Sequence, residues 1–335
     1  MSFDRIKDYD AIRGGAVLGA VDRRAQLAVA GPDRASFLQG LLTNDVEALQ
    51  PGSGCYSVWL TPQGRMIADM HVLQSETMML LDVPADLLDS LLQRLDQFLF
   101  TENVQLQSLE EALTSVWVHG PESALAVGRV LDVGELDTWA AYRHARVSMR
   151  SEPDTAVVVA RIDQLGVPGF ALYVDPARRE ALEAALIEGG AAHVSADAIE
   201  AARIASGYPV FGIDMTSDTI PLEAGIEGRA ISFTKGCYVG QEVIIRVLHR
   251  GGGRVARKLV TLRIDGPVPQ RGAKLYAAER EIGAITSAAE SPRLGTIAFG
   301  YVHRDFVAPG TAVSVDISGD RRPASVAEHP LSSAA

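Results

Sequence analysis

The sequence predicts an α+β protein with a separate all-β domain at its C-terminal end. The chain has 335 residues, which exceeds the size of one ordinary domain. Before the glycine triplet at 251–253, amphipathic helical runs alternate with short strand-like runs; after it, only short β-rich runs remain. We therefore predict two α+β subdomains, at 1–115 and 116–252, followed by a small antiparallel domain at 253–335.

The first subdomain is predicted from hydrophobic spacing and turn residues. Its first strand, at 26–30, is closed by Gly31-Pro32, and a final helix carries Leu88, Leu91 and Leu95 on one face. The elements predicted between residues 34 and 99 are a helix at 34–42, strands at 55–61, 66–74 and 77–83, and a helix at 84–99.

The second subdomain repeats this pattern. Val157–Asp163 and Phe170–Asp175 predict a hairpin, and Pro176 opens a helix that ends before Gly189-Gly190. The two strand-to-helix joints, LLDVPADLLDSLLQRL and ALYVDPARREALEAAL, are alike. An internal duplication explains this likeness, and so does chance similarity between two helices that begin at proline.

The C-terminal domain is predicted to be a small antiparallel barrel or sandwich. Glycine and proline separate its short strand-like runs at close intervals. The predicted strands lie at 259–264, 274–277, 282–289, 296–302 and 311–317. The polar residues beyond Gly319 are expected to fray.

Composition excludes several classes of protein. Hydrophobic residues make up 47% and charged residues 22%, which is typical of a folded chain and not of a disordered one. No apolar run approaches the roughly 20 residues of a membrane helix, and the N-terminus lacks the apolar core of a secretion signal. With 31 basic and 42 acidic residues the net charge is −11, so direct nucleic-acid contact is not expected.

Two cysteines, Cys55 and Cys237, exclude a disulfide scaffold and fit a reducing cytoplasm. One chain cannot supply four thiolates, and no cluster with metal-ligand spacing accompanies either cysteine, so no resident metal site is expected. Cys55 lies in an apolar strand and is predicted to be structural.

The stretch Lys235-Gly-Cys-Tyr-Val-Gly-Gln-Glu242 is the strongest candidate for chemistry. A cation or a helix N-terminus lowers the pKa of a nearby thiol, and Lys235 is the adjacent cation for Cys237. Residues 241–249 fit a helix, although 243–247 also fit a strand. The alternative is a buried structural cysteine between two turn glycines.

Two carboxylates and a basic segment are further candidates. Asp69 interrupts an apolar strand, which indicates either a paired site residue or a solvent-facing position. Glu223, in IPLEAG, is equally ambiguous. The basic segment fits an anion site or a solvated helix end and linker, and comprises Arg246, His249, Arg250, Arg254, Arg257 and Lys258.

Beyond these patterns, the chain resembles a known family. KGCYVGQE, followed by Arg246 and Gly251, resembles the signature of the YgfZ folate-binding proteins, relatives of the aminomethyltransferase (T-protein) of the glycine cleavage system. Further resemblances cover nearly the whole chain: AGPDRASFLQGLLTNDV, YSVWLTPQGRMIADMHV, RIASGYPVFGIDM, IPLEAGI and GAITSAAESPRLGTIAFGYV.

The resemblance implies two ferredoxin-like folate-binding halves and a C-terminal β-barrel around a ligand channel. It also implies tetrahydrofolate binding and a role in assembling or repairing iron–sulfur enzymes, including those that thiomethylate tRNA. Cys237 would be the functional thiol, and a transient cluster would be completed by a partner. The motif carries over to Lys235, Gly236, Cys237, Tyr238, Gly240, Gln241 and Glu242, and Arg246 and Arg250 would face the folate tail.

Two departures bear on the activity. Aminomethyltransferases have Asp-Asp where this chain has Ala68-Asp69, and a pterin-binding glutamate where it has Ala205. Folate would then bind weakly, in another pose, or through Asp69 or Glu223. An accessory protein for iron–sulfur enzymes is therefore our main prediction. The alternatives are a folate-dependent aminomethyltransferase-like enzyme that uses Asp69, a tRNA-binding factor, and a protein that retains only the thiol function.

Overall fold

The computed structural model describes residues 4–249, 253–328 and 330–331. Its helices are α1 (Arg5–Gly14), α2 (Arg34–Leu41), α3 (Leu88–Asp96), α4 (Ser123–Val130), α5 (Arg179–Glu188), α6 (Ala196–Ser206), α7 (Pro221–Ala224), α8 (Glu227–Ala230) and α9 (Gln241–His249). Within the described residues, none of these helices combines the length and apolarity needed to cross a bilayer.

The strands form two sheets and a barrel. They are β1 (Ala16–Leu18), β2 (Arg24–Ala30), β3 (Ser53–Leu60), β4 (Met66–Gln74), β5 (Met78–Pro84), β6 (Gln105–Ser108), β7 (Thr114–His119), β8 (His144–Ser148), β9 (Ala156–Arg161), β10 (Gly169–Val174), β11 (Ala191–His193), β12 (Arg257–Ile264), β13 (Lys274–Ala277), β14 (Arg280–Ser291), β15 (Gly295–His303), β16 (Ala312–Ile317) and β17 (Asp320–Ala327).

The first sheet has the order β3-β4-β5-β2-β6 and its strands are antiparallel. Helices α2 and α3 cover one face, where Ala68, Met70 and Val72 of β4 belong to an apolar cluster. Because side chains alternate along a strand, Asp69 and His71 lie on the opposite face. This alternation places polar groups on the face of the sheet opposite α2 and α3, which we call its inner face.

The second sheet has the order β11-β1-β7-β10-β9-β8. Its strand β1 comes from the beginning of the chain and pairs with β7 and β11, while α1 contacts α6. The N-terminal residues therefore pack with the second half, whereas the sequence-based division at residue 115 puts them with the first. A three-residue strand is too short to show a period, so its pairing was not visible in the sequence.

The two sheets pack against each other through their inner faces. Leu73 and Leu80 of the first sheet share an apolar cluster with Trp117, Ala171 and Tyr173 of the second. The inner faces are thus closed by apolar packing in this region, and the polar side chains of β2, β4 and β5 lie beside it.

The C-terminal strands form a closed antiparallel barrel, β12-β15-β14-β13-β16-β17, which confirms the predicted α+β fold with a C-terminal barrel. The prediction that residues beyond Gly319 fray was wrong for Asp320–Ala327, which form a strand. Strand β17 pairs with both β12 and β16 and closes the barrel. Its residues Ala324 and Val326 are buried, while the first four residues, which include Arg321 and Arg322, are exposed and gave the segment its polar appearance.

A buried ion pair connects α6 to the barrel. Arg203 and Asp214 are fully buried, and their side chains approach to 2.6 Å. The other carboxylate oxygen of Asp214 accepts hydrogen bonds from Thr286 and Ser287 of β14. Such a pair is stable only when its remaining hydrogen-bonding capacity is used, and here the barrel supplies those partners.

The buried His119 of β7 makes the free energy of unfolding depend on pH. Burial lowers the pKa of His119 from 6.5 to about 4. Between pH 6.5 and 4 the unfolded chain therefore binds this proton and the native one does not, so stability falls as the pH falls. The free energy of unfolding is measured by urea unfolding at pH 6.5 and at pH 4. We expect His119→Phe to make its decrease between these two pH values smaller by about 3 kcal/mol. Replacing the exposed His193 with Phe is the control, and equal acid sensitivity in both variants would contradict the assignment.

Candidate active site

Polar and charged side chains converge between the inner face of the first sheet and the segments after α6 and in α8. We call this group the central cluster; it comprises Asp22, Arg24, Tyr56, Asp69, His71, Asp82, Gln164, Tyr208 and Arg229.

Arg24 is the ionic centre of this cluster. Its guanidinium lies 3.0 Å from a carboxylate oxygen of Asp22, 3.3 Å from one of Asp69 and 2.9 Å from one of Asp82. Burial by itself disfavours the charged form of Arg24, but the three carboxylates hold its pKa well above the usual value. One cation therefore serves three anions, one from the bend before β2 and one each from β4 and β5.

The cluster carries more negative than positive formal charge. Three carboxylates are balanced only by Arg24 and Arg229 when the histidine is neutral. Burial raises the pKa of Asp22, and the charges of Asp69 and Asp82 raise it further against the opposing effect of Arg24. A ligand that brings a positive charge is favoured here over one that brings a negative charge.

Asp69 is a buried member of the cluster, which excludes the solvent-facing alternative. It is 2% exposed. One of its oxygens pairs with Arg24, and the other accepts a hydrogen bond of 2.8 Å from the hydroxyl of Tyr56. Burial and the Asp69 charge raise the pKa of Tyr56 well above its usual value, so this hydroxyl remains a donor.

A hydrogen-bonded chain runs from Asp82 through His71 and Tyr208 to Gln164. The distances are 2.9 Å from Asp82 to His71 Nδ1, 3.2 Å from His71 Nε2 to the Tyr208 hydroxyl, and 3.4 Å from that hydroxyl to Gln164 Nε2. Sequence reasoning missed these residues. The one available signal was a polar residue in each of two apolar strands, and the register places His71 directly opposite Asp82.

Arg229 of α8 lies close to two aromatic rings. Its guanidinium carbon is 4.6 Å from the ring centre of Tyr56 and 4.2 Å from that of Tyr208. Its Nη2 is buried with no hydrogen-bond partner among the described residues. The Oε1 atom of Gln164 is likewise buried with no hydrogen-bond partner among the described residues. Sequence reasoning missed Arg229 too, because it stands alone in a short loop-like segment.

The predicted motif loop holds Cys237 at the surface. Cys237 is exposed, whereas Cys55 on β3 is partly buried. The ammonium group of Lys235 donates to the backbone carbonyls of Gln39, Leu42 and Asn44 at 2.6 to 2.9 Å. All three of its protons therefore bind the C-terminal end of α2, where carbonyl groups favour a cation.

Burial sets the ionisation of the groups next to this loop. It lowers the pKa of Lys235 to about 8 and raises the pKa of Tyr238 to about 12. The Lys235 ammonium also lies 5.3 Å from the Tyr238 ring centre. Burial raises the pKa of Cys55 to about 12, although the Lys235 charge acts to lower it. This pKa favours the neutral thiol of Cys55 over the thiolate, and the tuning of Cys237 by Lys235 stays a prediction.

The remaining motif residues lead into α9. Residues 241–249 are helical, which settles the choice between helix and strand. Gln241 accepts a hydrogen bond from the Tyr238 backbone at 3.4 Å, and Glu242 and Arg246 are exposed. Arg250, the other residue predicted to face the folate tail, lies outside the described residues.

Glu223 ties α7 to the barrel. Its carboxylate lies 3.3 Å from Arg257 of β12 and accepts a long hydrogen bond from the backbone of Ile220. Arg257 also lies over the ring of Tyr301. One arginine of the predicted basic segment is therefore paired with the predicted carboxylate in the contact between α7 and the barrel.

The structure brings the predicted residues to three places. Asp69 is in the central cluster, Glu223 is in the contact between α7 and the barrel, and Cys237 is on the surface loop beside α2. Among the described residues, no three His, Cys, Asp or Glu side chains are grouped so that they could hold a metal ion.

The two departures from the aminomethyltransferase pattern fall outside the central cluster. Ala68 is buried in the apolar cluster under α2 and α3, on the face of β4 opposite Asp69. Ala205 is buried in the apolar contact of α6 with α1 and the barrel. Of the two positions that are Asp-Asp in aminomethyltransferases, position 69 is therefore the one that points into the central cluster, and this chain retains the carboxylate there.

Comparison with known proteins covers nearly the whole chain. Residues 3–235 match the GCVT N-terminal domain, and residues 257–332 match the glycine cleavage T-protein C-terminal barrel domain. An aminomethyltransferase of Streptomyces avermitilis is 30% identical, over 97% of this chain and 88% of that protein. A putative chloroplastic transferase of Arabidopsis thaliana is 28% identical, over 95% and 73%.

A solved structure agrees with the fold. The crystal structure of glycine cleavage system aminomethyltransferase T from Bartonella henselae has a TM-score of 0.84 to this chain at 24% identity. The similarity covers 97% of this chain and 88% of that one.

Gly240 and Gly236 provide a matched test of how the motif loop is held. Gly240 has a φ of 86°, and a Cβ there would lie 2.5 Å from the carbonyl oxygen of Thr61; Gly236 has open space. We expect Gly240→Ala to lower the free energy of unfolding by about 2–4 kcal/mol, from strain and overpacking. Gly236→Ala should change it little. Equal effects in denaturant unfolding would show that this loop is not docked as described.

Proposed function

Because the chain belongs to the glycine cleavage T-protein family, we propose that it is a folate-dependent one-carbon transferase acting on an amine, with Asp69 as its central carboxylate. The family is known for binding tetrahydrofolate, and several relatives of similar length are named aminomethyltransferase. The alternative from the sequence thus becomes our first proposal, ahead of the accessory role.

The single observation that supports this proposal most is the environment of Asp69. A carbon carried by an amine becomes positively charged as it leaves its donor, and a fixed anion in a buried site stabilises that charge. Asp69 is buried, fixed by Arg24 and Tyr56, and surrounded by an excess of carboxylates. Its neighbours therefore orient it before a substrate binds, which limits the cost of reorganisation.

The polar groups around Asp69 fit a reduced folate. Gln164 Oε1 and Arg229 Nη2 are buried without partners among the described residues, and both belong to side chains that contact Tyr208. A pterin ring offers hydrogen-bond donors and acceptors along its edge, so these atoms would hold it. Tetrahydrofolate, when bound, supplies the nitrogen atoms that accept the one-carbon unit.

Asp69→Asn tests the proposal directly. The amide keeps the shape of the side chain and removes its charge, so we expect one-carbon transfer from an aminomethyl donor to tetrahydrofolate to fall on the order of 100-fold or more. Tetrahydrofolate binding, followed by calorimetry, should persist. The control is Asp8→Asn, a buried carboxylate whose partner is the Ser195 backbone, outside the cluster. Full transfer activity in folded Asp69→Asn would refute the proposed role.

A second candidate function is the predicted accessory role in iron–sulfur enzyme maturation. The observation that favours it is the exposed Cys237 thiol on a loop that Lys235 and Gly240 hold against α2 and the β3–β4 turn. An exposed thiol on a fixed loop is accessible to another protein, whereas the central cluster is not. A single thiol would ligate a cluster only together with a partner or small molecule.

Replacement of Cys237 with Ser in the host tests this second candidate. We expect the activities of iron–sulfur enzymes to fall if the thiol acts on them, and to remain normal with the matched Cys55→Ser variant. Normal enzyme activities in the Cys237→Ser host, with the variant protein present at wild-type level, would eliminate the accessory role and leave the transferase proposal standing.

A further inference from the structure

We propose that His71 carries the proton that balances the charge of the central cluster when no substrate is bound, and that an ammonium group bound at Asp69 displaces this proton. The inference rests on the proposed function, because it takes the substrate of the cluster to be an amine. It goes beyond that function by coupling amine binding to proton release. The N–H bond at His71 Nε2 breaks, its electron pair stays on the nitrogen, and the proton leaves to the buffer.

The formal charges of the central cluster do not balance when His71 is neutral. Three carboxylates are grouped with two guanidinium groups: those of Asp22, Asp69 and Asp82, and those of Arg24 and Arg229. One proton on His71 makes the cluster neutral. One bound ammonium group also makes it neutral, provided that His71 has lost its proton. The two cations can therefore substitute for each other.

The hydrogen-bond partners of His71 suit both of its protonation states. Nδ1 lies 2.9 Å from Asp82, which accepts its proton in either state. Nε2 lies 3.2 Å from the Tyr208 hydroxyl, which donates to the neutral ring and accepts from the protonated one. By contrast, His119 has no acidic partner among the described residues, and burial lowers its pKa to about 4. His71 is thus the buried histidine with an acidic partner for a protonated ring.

Asp82 stays the anion of this pair. Burial acts to raise the pKa of Asp82, but Arg24, His71 and Gln26 together hold it below its usual value. Both carboxylate oxygens are in use, since Oδ1 accepts a hydrogen bond of 2.8 Å from Gln26 and Oδ2 contacts His71. The exchangeable proton of the pair therefore belongs to the imidazole.

The remaining groups around His71 are neutral rings. Its own ring centre lies 5.7 Å from that of Tyr56 on β3, 6.1 Å from that of Trp117 on β7 and 5.9 Å from that of Tyr142 on β8. Burial raises the pKa of Tyr56, Tyr142 and Tyr208, so their hydroxyls keep their protons. The charged groups that act on His71 are therefore the carboxylates and arginines of the cluster. Imidazole is the side chain type among them that changes its charge near neutral pH.

The pleat of β4 brings the two competing cations close together. Asp69 and His71 are two residues apart on the same face of this strand, which corresponds to about 7 Å. An ammonium group held by Asp69 therefore repels a protonated His71 ring. At an effective dielectric constant of about 20, two unit charges at about 7 Å repel each other enough to change an equilibrium on the order of 50-fold. Bound amine thus favours neutral His71.

The test uses methylammonium chloride as the probe and NMR of histidine-labelled protein as the readout, with sodium chloride at equal ionic strength as the control. We expect saturating methylammonium to lower the pH at which half of the His71 rings are protonated by roughly 1.5 to 2 units. The exposed His193 should not respond. In Asp69→Asn the response of His71 should disappear, and in the matched variant Asp8→Asn it should remain.

The affinity for methylammonium gives the reciprocal measurement. Because the two binding events are linked, we expect the affinity of the wild-type protein to rise by up to about 10-fold per pH unit while His71 is protonated. His71→Gln should bind methylammonium with an affinity that does not depend on pH over this range. His193→Gln should keep the wild-type dependence.

Each outcome decides. Methylammonium binding that leaves the protonation of His71 unchanged would overturn the inference, and so would the absence of methylammonium binding. Neither result touches the proposed function, which the transfer assay on Asp69→Asn decides. A pH dependence retained in folded His71→Gln would overturn the assignment, because another group such as Asp22 would then hold the proton. If His71→Gln fails to fold, as judged by thermal unfolding, the response of His71 in the wild-type protein decides by itself.

Discussion

The buried guanidinium of Arg24 is the constraint on which the arrangement of the site depends. Asp69 and Asp82 project from neighbouring strands of one sheet into a space that the second sheet helps to close. Without a cation between them, these anions would repel each other and lose their hydration. Arg24 contacts both and also Asp22, so the three carboxylates remain buried within one cluster. Its backbone position at the start of β2 is therefore a structural requirement of the site.

Because side chains alternate along β4, residues that are neighbours in the sequence have two different roles on its two faces. Ala68 and Met70 fill the apolar layer under α2 and α3, and Asp69 and His71 supply the cluster on the other face. A change from acid to alanine at position 68 therefore alters the packing layer and leaves the charge of the cluster unchanged. This is why the departures at Ala68 and Ala205, which favoured the accessory role in the sequence, weigh less against a transferase once the fold is known.

The motif around Cys237 is stabilised by a different set of contacts. Lys235 binds the carbonyls at the end of α2, and Gly240 packs against the β3–β4 turn. These contacts explain why lysine and glycine stand there without reference to the thiol. The buried cluster suits small-molecule chemistry, and the surface thiol suits contact with a partner. The two proposed functions thus use different parts of the molecule.

The sequence by itself determined the α+β class, most strands and helices before residue 190, and the β-rich C-terminal domain, because hydrophobic period and turn residues are local properties. It also identified Asp69 and the exposed thiol as candidates. It missed β17, because the exposed polar residues of its first half hid the alternation of buried residues in its second half. Only the tertiary structure decided that Lys235 binds α2 and that Arg24, His71, Tyr208, Gln164 and Arg229 meet around Asp69. These residues are far apart in the chain, and their proximity follows from strand register and sheet packing, which no local pattern encodes.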